Sequence, residues 1–265
     1  MAKRILLTGD DGYKSLGIRI LIDALRSQYD LSVVGTKVQQ SGVGGAINVT
    51  KKMSWGRATV DGIPAVWVAG TPADGVEFAR EYFPRPFDLV ISGINMGVNI
   101  GASIISSGTF GAAFKSVALG LAPHSVAVSW ERTDFHQLYR THSGREAIKH
   151  YSRYPGQSMK KLIAAAQRNK FWGATILNIN LPGAPARRVQ FSRLLTNIHA
   201  YWPPVVVDKQ ARQFSYPPGL TTKERRGIAT DADGLLDGVI TVTPCHADMT
   251  NYEVWKAVRS KTFSL

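Results

Sequence analysis

A single cysteine, Cys245, leaves the chain without any intramolecular disulfide framework. No apolar stretch reaches the ~18 residues of a membrane span. In MAKRILLTGDDG the apolar run is only four or five residues long, too short for the hydrophobic region of a signal peptide. The expectation is therefore a cytoplasmic protein with no membrane partner. The six histidines have no zinc-ligand spacing, and the sequence contains no G-x-G-x-x-G, Walker loop or G-x-S-x-G. Acidic residues are scarce: 19 against 32 lysines and arginines, for a net charge of +13. None falls between Ala147 and Val207, a stretch holding nine basic residues from Lys149 to Arg193. Such a segment can attract a polyanion such as nucleic acid (RNA), polyphosphate or an acidic membrane surface. Because aromatic interleaving is sparse and no nucleic-acid-binding motif is present, the plainer reading is a solvated basic surface or counter-charge for a partner subunit.

What is there describes a folded enzyme or binding protein. Hydrophobic residues make up 44% and charged residues 19% of 265, a balance that excludes a disordered chain. RILLT (4–8), LSVVGT (31–36), PAVWVAG (64–70), DLVISG (88–93) and HSVAVSW (124–130) read as strands. Between them lie helical spacings at 17–28, at 71–83 and in TFGAAFKSVALG (109–120). Thr71 has the look of an N-cap, with Pro72 as first helical residue and Asp74 as capping-box partner. The strands are continuous apolar runs, not polar–apolar alternations, which predicts a mostly parallel sheet covered on both faces. SMKKLIAAAQRN then reads as a helix, and ATILNINLP, VQFSRLL and GVITVTP as strands, before a helix-compatible tail. Residues 197–230 contain four prolines and no helical period. They read as an extended hairpin arm whose aromatics (Tyr201, Trp202, Phe214, Tyr216) would be exposed in a monomer and so pack on another subunit. The predicted organisation is one α/β domain over 1–265. Residues 1–130 form the core that carries the site, and 131–265 a C-terminal part with the arm at about 197–230.

Ligands of open α/β sheets bind beyond the carboxyl ends of the strands. There the sequence places GDDG with Asp10 and Asp11, QQSG with Ser41, GINMGVNIG with Asn95 and Asn99, and ASIISSGTFGAA with Ser106, Ser107, Gly108 and Thr109 opening a helix. Two carboxylates, a hydroxyl and an amide oxygen form a hard oxygen set suited to Mg²⁺ or Mn²⁺. SSGT ahead of an alanine-rich helix offers hydroxyls and free N–H groups to a phosphate. Together they make phosphoester hydrolysis the natural reaction class. Each piece has a plainer alternative: DDG as a turn, SGT as an N-cap, G-x-N-x-G as a loop. Their convergence on one sheet edge favours the chemistry.

With these residues in hand, the sequence resembles the SurE family of 5′/3′-nucleotidases. ILLTGDDGYKSLGI resembles the family's I-L-x-T-N-D-D-G-x-x-A-x-G-I, QQSGVGG its serine loop, and AGTPADGV its G-T-P-x-D-x-V. DLVISGINMGVNIG matches its most characteristic segment, SSGTFGAA stands for Y-S-G-T-V-G-A-A, and LNINLPG and ATDADGLLDGVITVTPCHADMT resemble its closing segments. The resemblance implies a Rossmann-like three-layer sandwich with a C-terminal extension exchanged between subunits of a dimer or tetramer. It also implies one divalent cation per subunit, Mg²⁺ or Mn²⁺, on Asp10, Asp11, Ser41 and Asn95. Phosphate would lie against the metal, Asn95, Asn99 and the Ser107–Gly108–Thr109 turn, and nucleoside monophosphates would be hydrolysed to nucleoside and phosphate. Either Asp10 or Asp11, or another residue, could take the water's proton. Three positions depart from the pattern: Gly9 replaces an asparagine, Ser106 a tyrosine and Ser15 an alanine. Two rival readings remain: a polyanion-binding protein with a vestigial metal site, and a phosphatase for a non-nucleotide phosphomonoester.

Overall fold

The structure, a computed structural model, describes residues 3–132, 147–197, 201–217 and 229–261. The strands are β1 (Arg4–Thr8), β2 (Asp30–Thr36), β3 (Trp55–Val60), β4 (Ile63–Val68), β5 (Leu89–Met96), β6 (Ser125–Trp130), β7 (Ile176–Leu181), β8 (Val189–Phe191), β9 (Val206–Asp208), β10 (Gln213–Ser215) and β11 (Ile240–Cys245). The α-helices are α1 (Leu16–Leu25), α2 (Pro72–Tyr82), α3 (Gly108–Ala118), α4 (Gln157–Arg168), α5 (Asp231–Leu236) and α6 (Tyr252–Val258).

One nine-stranded sheet runs in the order β3-β4-β2-β1-β5-β6-β7-β11-β8. From β4 through β7 every neighbouring pair is parallel. β3 joins β4, and β11 joins β7, in antiparallel fashion. Side chains of β1 leave in opposite directions, as a strand requires. Ile5 and Leu7 enter the cluster built with α1 and α4, while Leu6 enters the one built with α2 and α3. Both faces of the central strands are therefore covered, with β5, β6 and β7 buried along their whole length, which is why these strands carry no polar alternation. Burial of each such leucine or isoleucine stabilises the fold by about 1.5–3 kcal/mol.

The helix starts follow local chemistry. Thr71 caps α2 through a reciprocal capping box with Asp74. Ser15, one of the three departures from the family pattern, caps α1 by accepting from the Ile18 amide. Among the described residues no helix is long and apolar enough to cross a membrane.

Three features differ from the sequence expectation. β3 is an extra strand, whose exposed and half-buried residues hid its pattern. β5 does not end at Gly93 but continues to Met96, so Asn95 stands on the strand rather than in the loop beyond it. The predicted arm does form a two-stranded hairpin, β9–β10, yet Tyr201 at its root is buried and Trp202 half-buried. Both pack on Ile100, Leu195 and Leu235 within the same chain, so only Phe214 and Tyr216 remain exposed as expected. The arm's residues 198–200 and 218–228 lie outside the described residues.

Candidate active site

Asp10 and Asp11 follow β1 at the carboxyl edge of the sheet, 4% and 5% exposed. Each is held by a different neighbour. The Thr109 hydroxyl, in the first turn of α3, donates to Asp10 Oδ1 at 2.6 Å. Gly108 lies so close that a Cβ there would sit 3.0 Å from Asp10 Cβ and 3.1 Å from Oδ2, so a side chain would press on the carboxylate. Asp11 Oδ2 accepts from the Met96 amide at 3.0 Å, and its Oδ1 from Gln39 Nε2 at 2.9 Å. That same Gln39 nitrogen is 3.3 Å from Ser41 Oγ, which brings the exposed Ser41 to the carboxylate pair. Asn95 precedes Met96 on β5. Its Nδ2 donates to the Gly97 carbonyl at 2.8 Å, so its Oδ1, with no hydrogen bond among the described residues, is left to serve as a ligand.

Ser107 is the N-cap of α3, its hydroxyl accepting from the Phe110 amide at 3.1 Å. The plain capping role therefore holds for Ser107. That cap takes the Phe110 amide, while the Thr109 backbone, like its hydroxyl, favours the charged form of Asp10; the amides of Gly108 and Thr109 have no acceptor within the helix. The neighbouring Ser106 is exposed, and its carbonyl accepts from the Gly44 amide at 3.0 Å, which fastens the serine loop to this turn. Asn99 stands apart. Its Nδ2 donates to Ser129 Oγ at 2.7 Å, its amide to Asn180 Oδ1 at 2.9 Å, and its carbonyl accepts from Asn178 and Asn180. None of these hydrogen bonds reaches Asp10, Asp11 or the α3 turn. Gln39 and the Met96 amide were not singled out in the sequence: the only hint of Gln39 is its place two residues before Ser41, and a backbone donor carries no sequence signal.

Burial raises both carboxyl groups well above the ordinary carboxylate range, and the charge of Asp11 raises Asp10 further. The Thr109 hydroxyl pulls Asp10 back, and the Met96 and Gln39 bonds pull Asp11 back. Among the described residues no lysine or arginine pairs with Asp10. Two buried, adjacent carboxylates repel each other and favour whatever cation can enter between them. No group of three or more His, Cys, Asp or Glu side chains placed to hold a metal ion occurs among the described residues; a cation at this pair would meet two carboxylates and the neutral oxygens near them. That donor set fits a small hard divalent ion.

These features define an α/β protein of Rossmann-like architecture whose site is an oxygen-rich aspartate pair beside a helix start. Residues 5–202 match the family model described as Survival protein SurE. The chain belongs to the SurE family. It is 30% identical over 264 residues to the 5′-nucleotidase SurE of Legionella pneumophila, covering 95% of this chain and 94% of the relative. It is 31% identical over 250 residues to that of Methanopyrus kandleri, covering 93% and 92%. The crystal structure of the SurE protein from Aquifex aeolicus superposes with a TM-score of 0.70 at 28% identity, covering 97% of this chain and 98% of that one.

Proposed function

We propose that the protein is a 5′-nucleotidase, a divalent-cation-dependent phosphomonoesterase that hydrolyses nucleoside monophosphates to nucleoside and phosphate. The observation that carries this reading is the direct bond from Thr109, at the start of α3, to Asp10 of the aspartate pair. It sets an anion-binding helix start and a cation-binding carboxylate pair against one another, as a phosphoryl group between them requires.

Asp10, Asp11, Ser41 and Asn95 would hold one Mg²⁺ or Mn²⁺. When bound, that ion supplies a Lewis acid and acidifies water. The first amides of α3, with Gly108 and Thr109, bind and orient the phosphoryl oxygens, and the absence of a side chain at Gly108 lets the group approach. Thr109 keeps Asp10 in one rotamer while Gln39 and the Met96 amide do the same for Asp11, so the two carboxylates need no reorganisation when charge develops. The proton released by the attacking water passes to one carboxylate of the pair. Asn99 supports the site as a buttress that shapes the 97–101 loop. The exposed β9–β10 hairpin, with Phe214 and Tyr216 at 65% and 79% exposure, packs on a second copy of the chain in a homodimer or homotetramer.

The test is phosphate release from a panel of nucleoside monophosphates, glycerol phosphate and p-nitrophenyl phosphate, in EDTA, Mg²⁺ or Mn²⁺, beside the Asp11→Asn variant. Release that needs metal, prefers nucleotides and vanishes in the variant is the expected result. Equal release in EDTA, or full activity of Asp11→Asn, overturns the reading. A preference for glycerol phosphate transfers the protein to another class of phosphomonoester.

A further inference from the structure

The segment from Asn95 to Thr109 is held in place by a buried carboxylate from the far end of the chain. Asp231, the first residue of α5, has no exposed surface. Its Oδ2 accepts from the Gly101 amide at 2.7 Å, and its Oδ1 from the Leu195 amide at 3.2 Å and the Ala232 amide at 3.0 Å. Two of these donors lie 130 and 36 residues away in sequence. Among the described residues no lysine or arginine pairs with it. Burying a carboxylate without a cation is unfavourable unless its oxygens are saturated by donors, and here the donors are the amides of the distant Gly101 and Leu195 and of its own neighbour Ala232.

Helix capping does not account for Asp231, because Thr230 caps α5 together with Asp233. What the carboxylate does is join Gly101 to Leu195. Gly101 has a φ of 58°, and a Cβ there would lie 2.6 Å from the Leu195 carbonyl. The next residue, Ala102, donates its amide to that carbonyl at 2.8 Å. Beside this clasp Ile100 packs with Leu195, Tyr201 and Leu235, and Tyr201 donates its hydroxyl to Asp233. The loop that leaves Asn95 and arrives at Ser107 is therefore clamped to the root of the arm.

We propose that Asp231 is a positioning residue for the hydrolytic site: by clasping Gly101 to Leu195 it fixes the approach to the Ser107–Gly108–Thr109 turn and ties that turn to the root of the arm. This rests on the phosphohydrolase reading above. At the cation side Asn95 and Met96 are also fixed by the pairing of β5 with β6, and Asp11 by Gln39, so the role is felt at the phosphate side of the site more than at the cation side.

Asp231→Asn, Asp231→Ala and Thr230→Ala are compared with the parent for thermal unfolding, nucleotidase kinetics, inhibition by inorganic phosphate, half-activating Mn²⁺ concentration and amide exchange over 97–109. Asp231→Ala is expected to weaken phosphate inhibition and lower kcat/KM on the order of tenfold, the scale of a small misplacement in a site. It should leave the half-activating Mn²⁺ within about twofold, well under the 1.4 kcal/mol of a tenfold change, and speed exchange over 97–109. Asp231→Asn, with one acceptor oxygen left, should fall between the two and carries the test if the alanine variant fails to fold. Thr230→Ala should lower the unfolding temperature and leave phosphate inhibition unchanged. An active parent with folded Asp231 variants of parental phosphate inhibition and exchange overturns this inference alone. So does a Thr230→Ala variant that weakens phosphate inhibition equally. A parent without phosphatase activity in any metal overturns the hydrolase reading first, and the positioning role with it.

Discussion

Thr109 and Asp10 are 99 residues apart in sequence and joined by one hydrogen bond of 2.6 Å. That bond links the carboxyl end of β1 to the first turn of α3, so the two halves of the site form one rigid piece. Thr109→Ala should leave the fold intact, since the position is filled and only a hydroxyl and methyl are lost. It should reduce kcat/KM for nucleoside monophosphates by about a hundredfold, the lower end of the range for removing one preorganised donor. The bond lowers the Asp10 pKa, so its loss raises that carboxyl further, and the acid limb of the activity profile should move to higher pH. Thr109→Ser should recover most of both effects. Steady-state kinetics across pH settles it; an unchanged acid limb in Thr109→Ala removes the link between the two residues.

Asp10→Asn should separate activity from stability. The folded carboxyl is raised above its ordinary value of 3.8 by burial and by Asp11. Below the ordinary carboxylate range the native and unfolded states both hold the proton. As pH rises, the unfolded chain loses it first, and stability falls until the folded group ionises too. Metal-free parent protein should therefore lose stability as the pH climbs through the raised range, while Asp10→Asn lacks this component. The variant should be catalytically dead yet unfold at higher temperature than the parent in EDTA, with a gap that widens from acid toward neutral pH. Calorimetry at several pH values checks this. A gap that narrows with pH would falsify the assignment of Asp10 as a strained buried acid.

A bound cation should reverse that instability. At a concentration one hundred times its dissociation constant, a ligand specific for the native state adds about 2.7 kcal/mol. In a chain of this size each kcal/mol is worth roughly 2–4 °C, so saturating Mn²⁺ should raise the parent's unfolding temperature by about 5–10 °C. Asp10→Asn and Asp11→Asn should show little of this shift. Equal shifts in parent and variants would place the cation elsewhere.

Much of this architecture is legible from the residues. The unbroken apolar runs give the parallel strands, because both sheet faces are buried, and Thr71-Pro72-Ala73-Asp74 writes its own capping box. The aspartates and the SSGT turn are legible because loops at one sheet edge converge whatever their separation. What stays hidden is pairing that depends on backbone donors or on distant packing. The Met96 amide that holds Asp11 has no letter of its own, and β3 alternates too weakly to stand out. Tyr201 looks like any other aromatic of a proline-rich arm until Ile100 and Leu235 close over it. Its neighbours lie far away in sequence, and no periodicity announces them.

That burial divides the arm's aromatics into two kinds with opposite mutational consequences. Tyr201 is 1% exposed and belongs to the chain's own core. Tyr201→Ala should lower stability by about 3–5 kcal/mol, as for other large buried aromatics, and disturb the loop at Ile100. Phe214 and Tyr216 lie on the exposed hairpin, where truncation removes little intrachain packing. The double change Phe214→Ala with Tyr216→Ala should leave secondary structure and turnover per subunit nearly unchanged while weakening self-association. Deletion of 205–226, which spares Tyr201 and Trp202, should do the same more completely. Sedimentation at a series of concentrations, beside thermal unfolding, separates the two kinds. An oligomer that survives the deletion intact would remove the arm from the interface, and a Tyr201→Ala protein as stable as the parent would contradict its place in the core.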